Sequence, residues 1–271
     1  MGNFLIFLIL TLNLSAFGAK DGPTIVSFKN SSIVLRGELF VPKGEGPFPA
    51  VLYNHGSAPG MLNSEASKVI APLYTVKSWI FFMPYRRGQG LSSEAGKYIG
   101  AEIENAFKAG GEKVAAKKMV DLLKGDHLSD QLAALNWLRE QKFVNKNRIA
   151  VAGNSFGGIE SILGAAKENY CAAVNASGGA ESWAKAPSLQ VLMKESVRKA
   201  KAPIFFFQAA NDFDLSPSRI LSEEMKSAGR KYEIKIYPAY GKTPNEGHKF
   251  AYAGSSIWFD DVVRFLDLHC Q

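Results

Sequence analysis

Metal-ligand spacing is absent from this chain. Its four histidines, His55, His127, His248 and His269, lie too far apart to form a zinc motif, and no glycine-rich loop of the phosphate-binding kind occurs. The sequence therefore leads us to expect no metal and no cofactor. Cysteine is scarce. Cys171 and Cys270 are the only two, too few for a disulfide framework, and the sequence leaves open whether they pair. A concentrated patch of one charge is missing as well. The net charge is +7, but basic pairs such as Lys117-Lys118 and Arg198-Lys199 alternate with acids and apolar residues. That pattern describes a solvated basic surface and argues against nucleic acid as a partner. Ahead of Lys20 there is no charged residue at all. The apolar run from Phe4 to Leu14 is too short to span a bilayer comfortably, and Ala16-Phe17-Gly18 offers small residues where a leader would be cut. We expect residues 1–18 to be a signal peptide and 19–271 a single catalytic domain, secreted or periplasmic, with no membrane span after cleavage. The leader lacks Lys and Arg, so an uncleaved anchor is the alternative.

What remains is ordinary globular material: 271 residues, 46% hydrophobic and 21% charged. Apolar runs of strand length fall at Ala50–Tyr53, Trp79–Pro84, Ile149–Ala152, Ala172–Asn175 and Pro203–Gln208, and Glu233–Tyr237 is the last strand candidate. Helical stretches lie between them, Leu62–Tyr74 and Ser129–Gln141 among them. Thr24–Phe28 and Ile33–Val41 flank Asn30-Ser31-Ser32 and read as a hairpin. This order predicts an α/β fold: a mostly parallel sheet, helices on both faces and an amino-terminal antiparallel hairpin. Residues at the sheet's carboxyl edge then meet in one crevice. The stretch from Ser93 to Gly125 is helix-rich, with Ile99, Ile103 and Phe107 at four-residue steps, and is broken by Gly110-Gly111. It reads either as a small cap or as a surface helix pair. Asn30 and Asn175 each open an N-x-Ser sequon.

The most informative stretch is Gly153-Asn154-Ser155-Phe156-Gly157. A buried strand runs into a turn that only flanking glycines can take, and a helix starts behind Ser155. This is the G-x-S-x-G arrangement of an exposed nucleophile. The Phe156 amide is then placed to receive an oxyanion. The strand Ala50–Tyr53 ends in Asn54-His55-Gly56-Ser57, and we expect the Ser57 amide to be the second donor. His55 itself is read as a loop organiser. Of the four histidines only His248 lies in the loop after the last strand, where a base for Ser155 should be. The acid comes from Asn211-Asp212-Phe213-Asp214. Asp212 is favoured because it follows the strand closely, while Asp214 is better placed to cap the next helix. One of Arg86 and Arg87 is expected to brace neighbouring loops, the alternative being that one of them holds an anionic substrate group.

The run Ala133–Leu138, with Asp130, Arg148–Val151 and Gly153–Gly158 resembles the α/β-hydrolase fold. Together with His55-Gly56-Ser57 and Arg87–Ser92 it is similar to the dienelactone-hydrolase-like and prolyl-oligopeptidase-like branches, from about Pro47 to the carboxyl terminus. Typical dienelactone hydrolases use a cysteine nucleophile, whereas this chain has Ser155. The resemblance implies a serine hydrolase acting on a small-molecule ester through an acyl-enzyme. The alternatives are a prolyl-oligopeptidase-type peptidase, for which no propeller is present in the sequence, and a silent binding protein on the same scaffold. A wall built from residues 171–203 would leave a shallow site favouring short acyl groups. The oligomeric state is not legible.

Overall fold

The computed structural model describes residues 22–58 and 66–271. The expected signal peptide, and the first residues of the helix expected from Leu62, lie outside the described residues.

Eight strands form one sheet in the order β1-β2-β4-β3-β5-β6-β7-β8. The hairpin of β1 (Thr24–Asn30) and β2 (Ile33–Phe40) is antiparallel, and β2 also pairs antiparallel with β4 (Ile80–Pro84). From there the pairing is parallel through β3 (Phe48–Asn54), β5 (Val144–Asn154), β6 (Ala173–Ala176), β7 (Ile204–Ala209) and β8 (Tyr232–Tyr237). The central strands are buried along their length. This is why they read as continuous apolar runs rather than as alternation.

Helices cover both faces. One apolar layer holds α3 (Leu128–Glu140), α4 (Phe156–Lys167), α5 (Pro187–Lys199) and α6 (Ser216–Ser227) against Leu52, Val151 and Phe206. The other holds α1 (Ala66–Val76), α8 (Phe250–Ala253) and α9 (Ser255–His269) against Val51, Phe81 and Phe205. Among the described residues no helix is long and apolar enough to cross a membrane.

Two elements depart from simple crossovers. The helical segment α2 (Ile99–Leu122) breaks at Gly110 and Gly111, and Gly111 takes φ 73°, a conformation that favours glycine. Lys118 pairs with Glu102 at 3.0 Å. In one continuous helix those residues would stand about 24 Å apart along the axis, so the two arms fold back on each other as a helical hairpin. The second, α7 (Pro244–His248), is a single turn after β8, capped by Thr243 and Glu246 acting on each other's backbone amides.

Cys171 and Cys270 form a disulfide. Asn175 lies inside β6 and is buried. Its amide donates to the Gly158 carbonyl and its oxygen accepts from the Gly178 amide, so that sequon is closed to modification in the folded chain.

Candidate active site

The register of the central strands builds the site. Asn54 of β3 stands beside Gly153 of β5, so the loops leaving both strands emerge together at the carboxyl edge. Ser155 sits at φ 54° and ψ −120°, a backbone state that costs a non-glycine residue of order 1–3 kcal/mol. Its amide donates to the Ala176 carbonyl at 2.9 Å. A β-carbon on Gly153 would strike the Gly157 carbonyl, and one on Gly157 would strike that of Asn54. The tight packing of β3 on the turn therefore requires both glycines.

Ser155, His248 and Asp212 come together. Ser155 Oγ lies 2.9 Å from His248 Nε2, and His248 Nδ1 lies 2.8 Å from Asp212 Oδ1. A carboxylate can only accept, so Nδ1 carries the proton and Nε2 is left to accept from the serine. Burial alone would raise the Asp212 carboxyl. Hydrogen bonds from His248, Ser177 and Gln208 and the histidine's charge outweigh it and hold the pKa below the ordinary value. Asp214 points elsewhere: its Oδ1 accepts from the Ser216 amide at 2.8 Å, at the start of α6.

Sequence reasoning missed two supports of this group. Gln208, fully buried, donates to Asp212 Oδ2 at 2.9 Å while its own oxygen accepts from Ser218. Asn211 donates to the carbonyls of Tyr240 and Thr243 and accepts from the Tyr240 amide. It thereby pins the loop that carries His248 beside the loop that carries Asp212. The available signal was a lone glutamine closing the strand Ile204-Phe205-Phe206-Phe207.

The Phe156 amide opens α4 and has no carbonyl one turn behind it to accept. Ser57 lines the same cavity as Ser155 and Phe156, and a β-carbon on Gly56 would make ordinary contact with the Ser155 β-carbon at 3.6 Å. The carbonyls of this loop are held one after another. Arg86 donates to His55 O, Tyr98 donates to Ser57 O at 2.7 Å, and Gln89 donates to Ala58 O at 3.1 Å. Arg86 is buried, pairs with Glu160 of α4 at 3.1 Å and lies over the Phe156 ring. Arg87 forms a two-pronged pair with buried Asp130 at 2.9 and 2.7 Å. Both arginines face protein carboxylates rather than the cavity beside Ser155. His55 is buried with Nδ1 2.7 Å from Gly56 O, and burial beside Arg86 pushes its pKa well below the ordinary value. His127 is pushed to about 3 by burial beside Arg86 and Arg87. Neither histidine reaches Ser155.

The wall over the site draws on two stretches: Gly179, Glu181 and Ser182 line it from the expected segment 171–203, and Ile99, Ile103 and Met119 of the α2 hairpin line it as well. Among the described residues no group of three or more His, Cys, Asp or Glu side chains is arranged to hold a metal ion.

A sequence profile described as the Dienelactone hydrolase family matches residues 87–261. No curated protein sequence matches the chain. Among solved structures, an esterase of Pyrococcus furiosus is similar with a TM-score of 0.65 at 16% identity, over 92% of this chain and 91% of that one. Est1E from Butyrivibrio proteoclasticus gives 0.60 at 16%, over 88% and 99%. Pyrococcus horikoshii acylaminoacyl peptidase gives 0.62 at 16%, over 88% of this chain but 41% of that one, so the chain spans about two fifths of that peptidase's length. At these identities the likeness is one of fold, the α/β-hydrolase fold.

Proposed function

The chain belongs to the dienelactone hydrolase family, and from that premise we propose that it is a serine hydrolase cleaving small carboxylic esters through an acyl-enzyme. The observation that carries this reading is the continuous hydrogen-bonded path from Ser155 Oγ through His248 to Asp212. A serine hydroxyl is a weak nucleophile at neutral pH. His248 Nε2 takes its proton as Oγ bonds to the ester carbon, and Asp212 stabilises the imidazolium that results. The carbonyl oxygen gains the negative charge, and the amides of Phe156 and Ser57 stabilise it. As the tetrahedral adduct collapses, the carbon–oxygen bond to the alcohol breaks and His248 returns its proton to the leaving oxygen. Water repeats the sequence on the acyl-enzyme: His248 takes its proton, the acid leaves, and Ser155 recovers its hydrogen.

We also propose that the protein is exported, with residues 1–18 as its leader. The Cys171–Cys270 disulfide supports this, since such bonds persist in oxidising compartments.

A fluorophosphonate probe tests the enzymatic reading. It should label Ser155 and stop turnover of p-nitrophenyl acetate, and Ser155→Ala should neither label nor turn over. A folded sample with neither labelling nor turnover would leave the binding-protein alternative. Efficient prolyl-peptide cleavage would move the protein to the peptidase alternative.

A further inference from the structure

One cavity opens beside Ser155 and a second adjoins it further out, and neither is lined by His248, Asp212 or Phe213. The first, about 130 Å³, has Ser155, Phe156 and Ser57 on one side and α2 on the other. The second, about 220 Å³, continues from it, because Ile103, Met119, Glu181 and Ser182 line both. Its further wall is Phe107, Ala115 and Ala116 of the hairpin, facing Ala186. The α2 side chains that line the two cavities are apolar apart from Glu112, and Phe107 remains 52% exposed. Charge appears at exposed Glu112, Glu181 and Lys185.

We propose that this bent channel is the binding site for a straight acyl chain of about eight carbons, so that the favoured substrate is a medium-chain ester. The inference rests on the reading of Ser155 as the acylated nucleophile. Geometry assigns the chain to the acyl side. The leaving oxygen must face His248 to receive its proton, so the alcohol lies toward His248. The group on the other side of the carbonyl carbon then points into the cavity that His248 does not line. Volume sets the length. The first cavity, about 130 Å³, takes the carbons next to the carbonyl, and the second, about 220 Å³, takes the rest of a medium-length chain. The match between an apolar wall and an apolar chain is what makes the second cavity useful, since each methylene it covers leaves water.

The test is a series of p-nitrophenyl esters from acetyl to dodecanoyl, with kcat/KM measured on the purified protein. We expect a rise toward octanoyl of up to about fourfold per added methylene, which corresponds to ~0.8 kcal/mol for a buried CH₂, and a fall by dodecanoyl. Ala116→Trp fills the second cavity alone, and should lower the octanoyl-to-acetyl ratio of kcat/KM tenfold or more. Phe107→Glu puts a charge on an already exposed position where folding is least at risk, and should lower the same ratio. Acetyl turnover with a flat or falling profile, or ratios unchanged in both variants, overturns the channel and leaves the serine hydrolase reading standing. Absence of both ester turnover and fluorophosphonate labelling overturns that reading, and the channel with it.

Discussion

Asp212 and Asp214 share one loop, and their surroundings give them different work. Asp212 is bonded by His248, by Gln208 and, at 2.7 Å, by the Phe213 amide, so its carboxylate is fixed in direction as well as in charge. Asp214 spends its oxygen on the Ser216 amide, where the start of α6 favours a negative charge. Asp212→Asn would leave His248 Nδ1 facing an amide that can turn its NH₂ toward the ring and favour the wrong tautomer. Turnover should fall on the order of 10⁴-fold. Asp214→Asn keeps an oxygen able to accept from Ser216, and should stay within a few-fold of wild type with a slightly lower Tm. Steady-state kinetics of the two variants decides the matter, and the opposite ranking would move the acid to Asp214. Sequence position pointed to this division because Asp212 follows β7 closely and Asp214 precedes a helix. Gln208, which fixes the direction of Asp212, carried only the weak signal of one polar residue in an apolar strand.

At the scale of elements, the Arg86–Glu160 pair ties the loop after β4 to α4 and, through His55 O, to the loop after β3. Burial pushes the Glu160 carboxyl up to about 7, against the pull of Arg86 and with a smaller push from Asp130. A carboxyl raised on folding keeps its proton in the native chain where the unfolded chain has lost it. Its stabilising contribution is therefore fully present below the ordinary value of 4.5 and is lost as pH rises through about 7. Glu160→Gln removes this titration. The Tm of wild type relative to Glu160→Gln should fall between pH 4.5 and 7 and level off above, and a pH-independent difference would refute the assignment. That an arginine after β4 braces loops was legible, but which loops it joins was not, because that depends on neighbours distant in sequence. The strands were legible for the opposite reason: burial on both faces imposes apolar runs that turn residues then bound. The α2 hairpin fell between these cases. Ile99, Ile103 and Phe107 marked a helical face, but only the fold back at Gly110-Gly111 shows that this face looks toward Ser155.

For the molecule as a whole, the disulfide joins the loop entering β6 to the residue that follows α9. The closed span of 99 residues contains β6, β7 and β8 and both Asp212 and His248. Tying off a span of that length restricts the unfolded chain and should stabilise the fold by about 2–5 kcal/mol. The bond sits at the sheet's amino-terminal edge, because Cys171 enters β6, whereas Ser155 leaves β5 at the carboxyl edge. Stability and activity should therefore separate. Reduction with a small thiol, or Cys171→Ser with Cys270→Ser, should lower Tm by roughly 5–15 °C for a domain of this size, while ester turnover at 25 °C stays near that of the oxidised protein. Differential scanning calorimetry with and without reductant, paired with turnover on the same samples, reads both quantities. An unchanged Tm would mean that the span is already restrained without the bond. Loss of turnover in a sample that is still folded would mean that the amino-terminal edge and the site are coupled through the sheet.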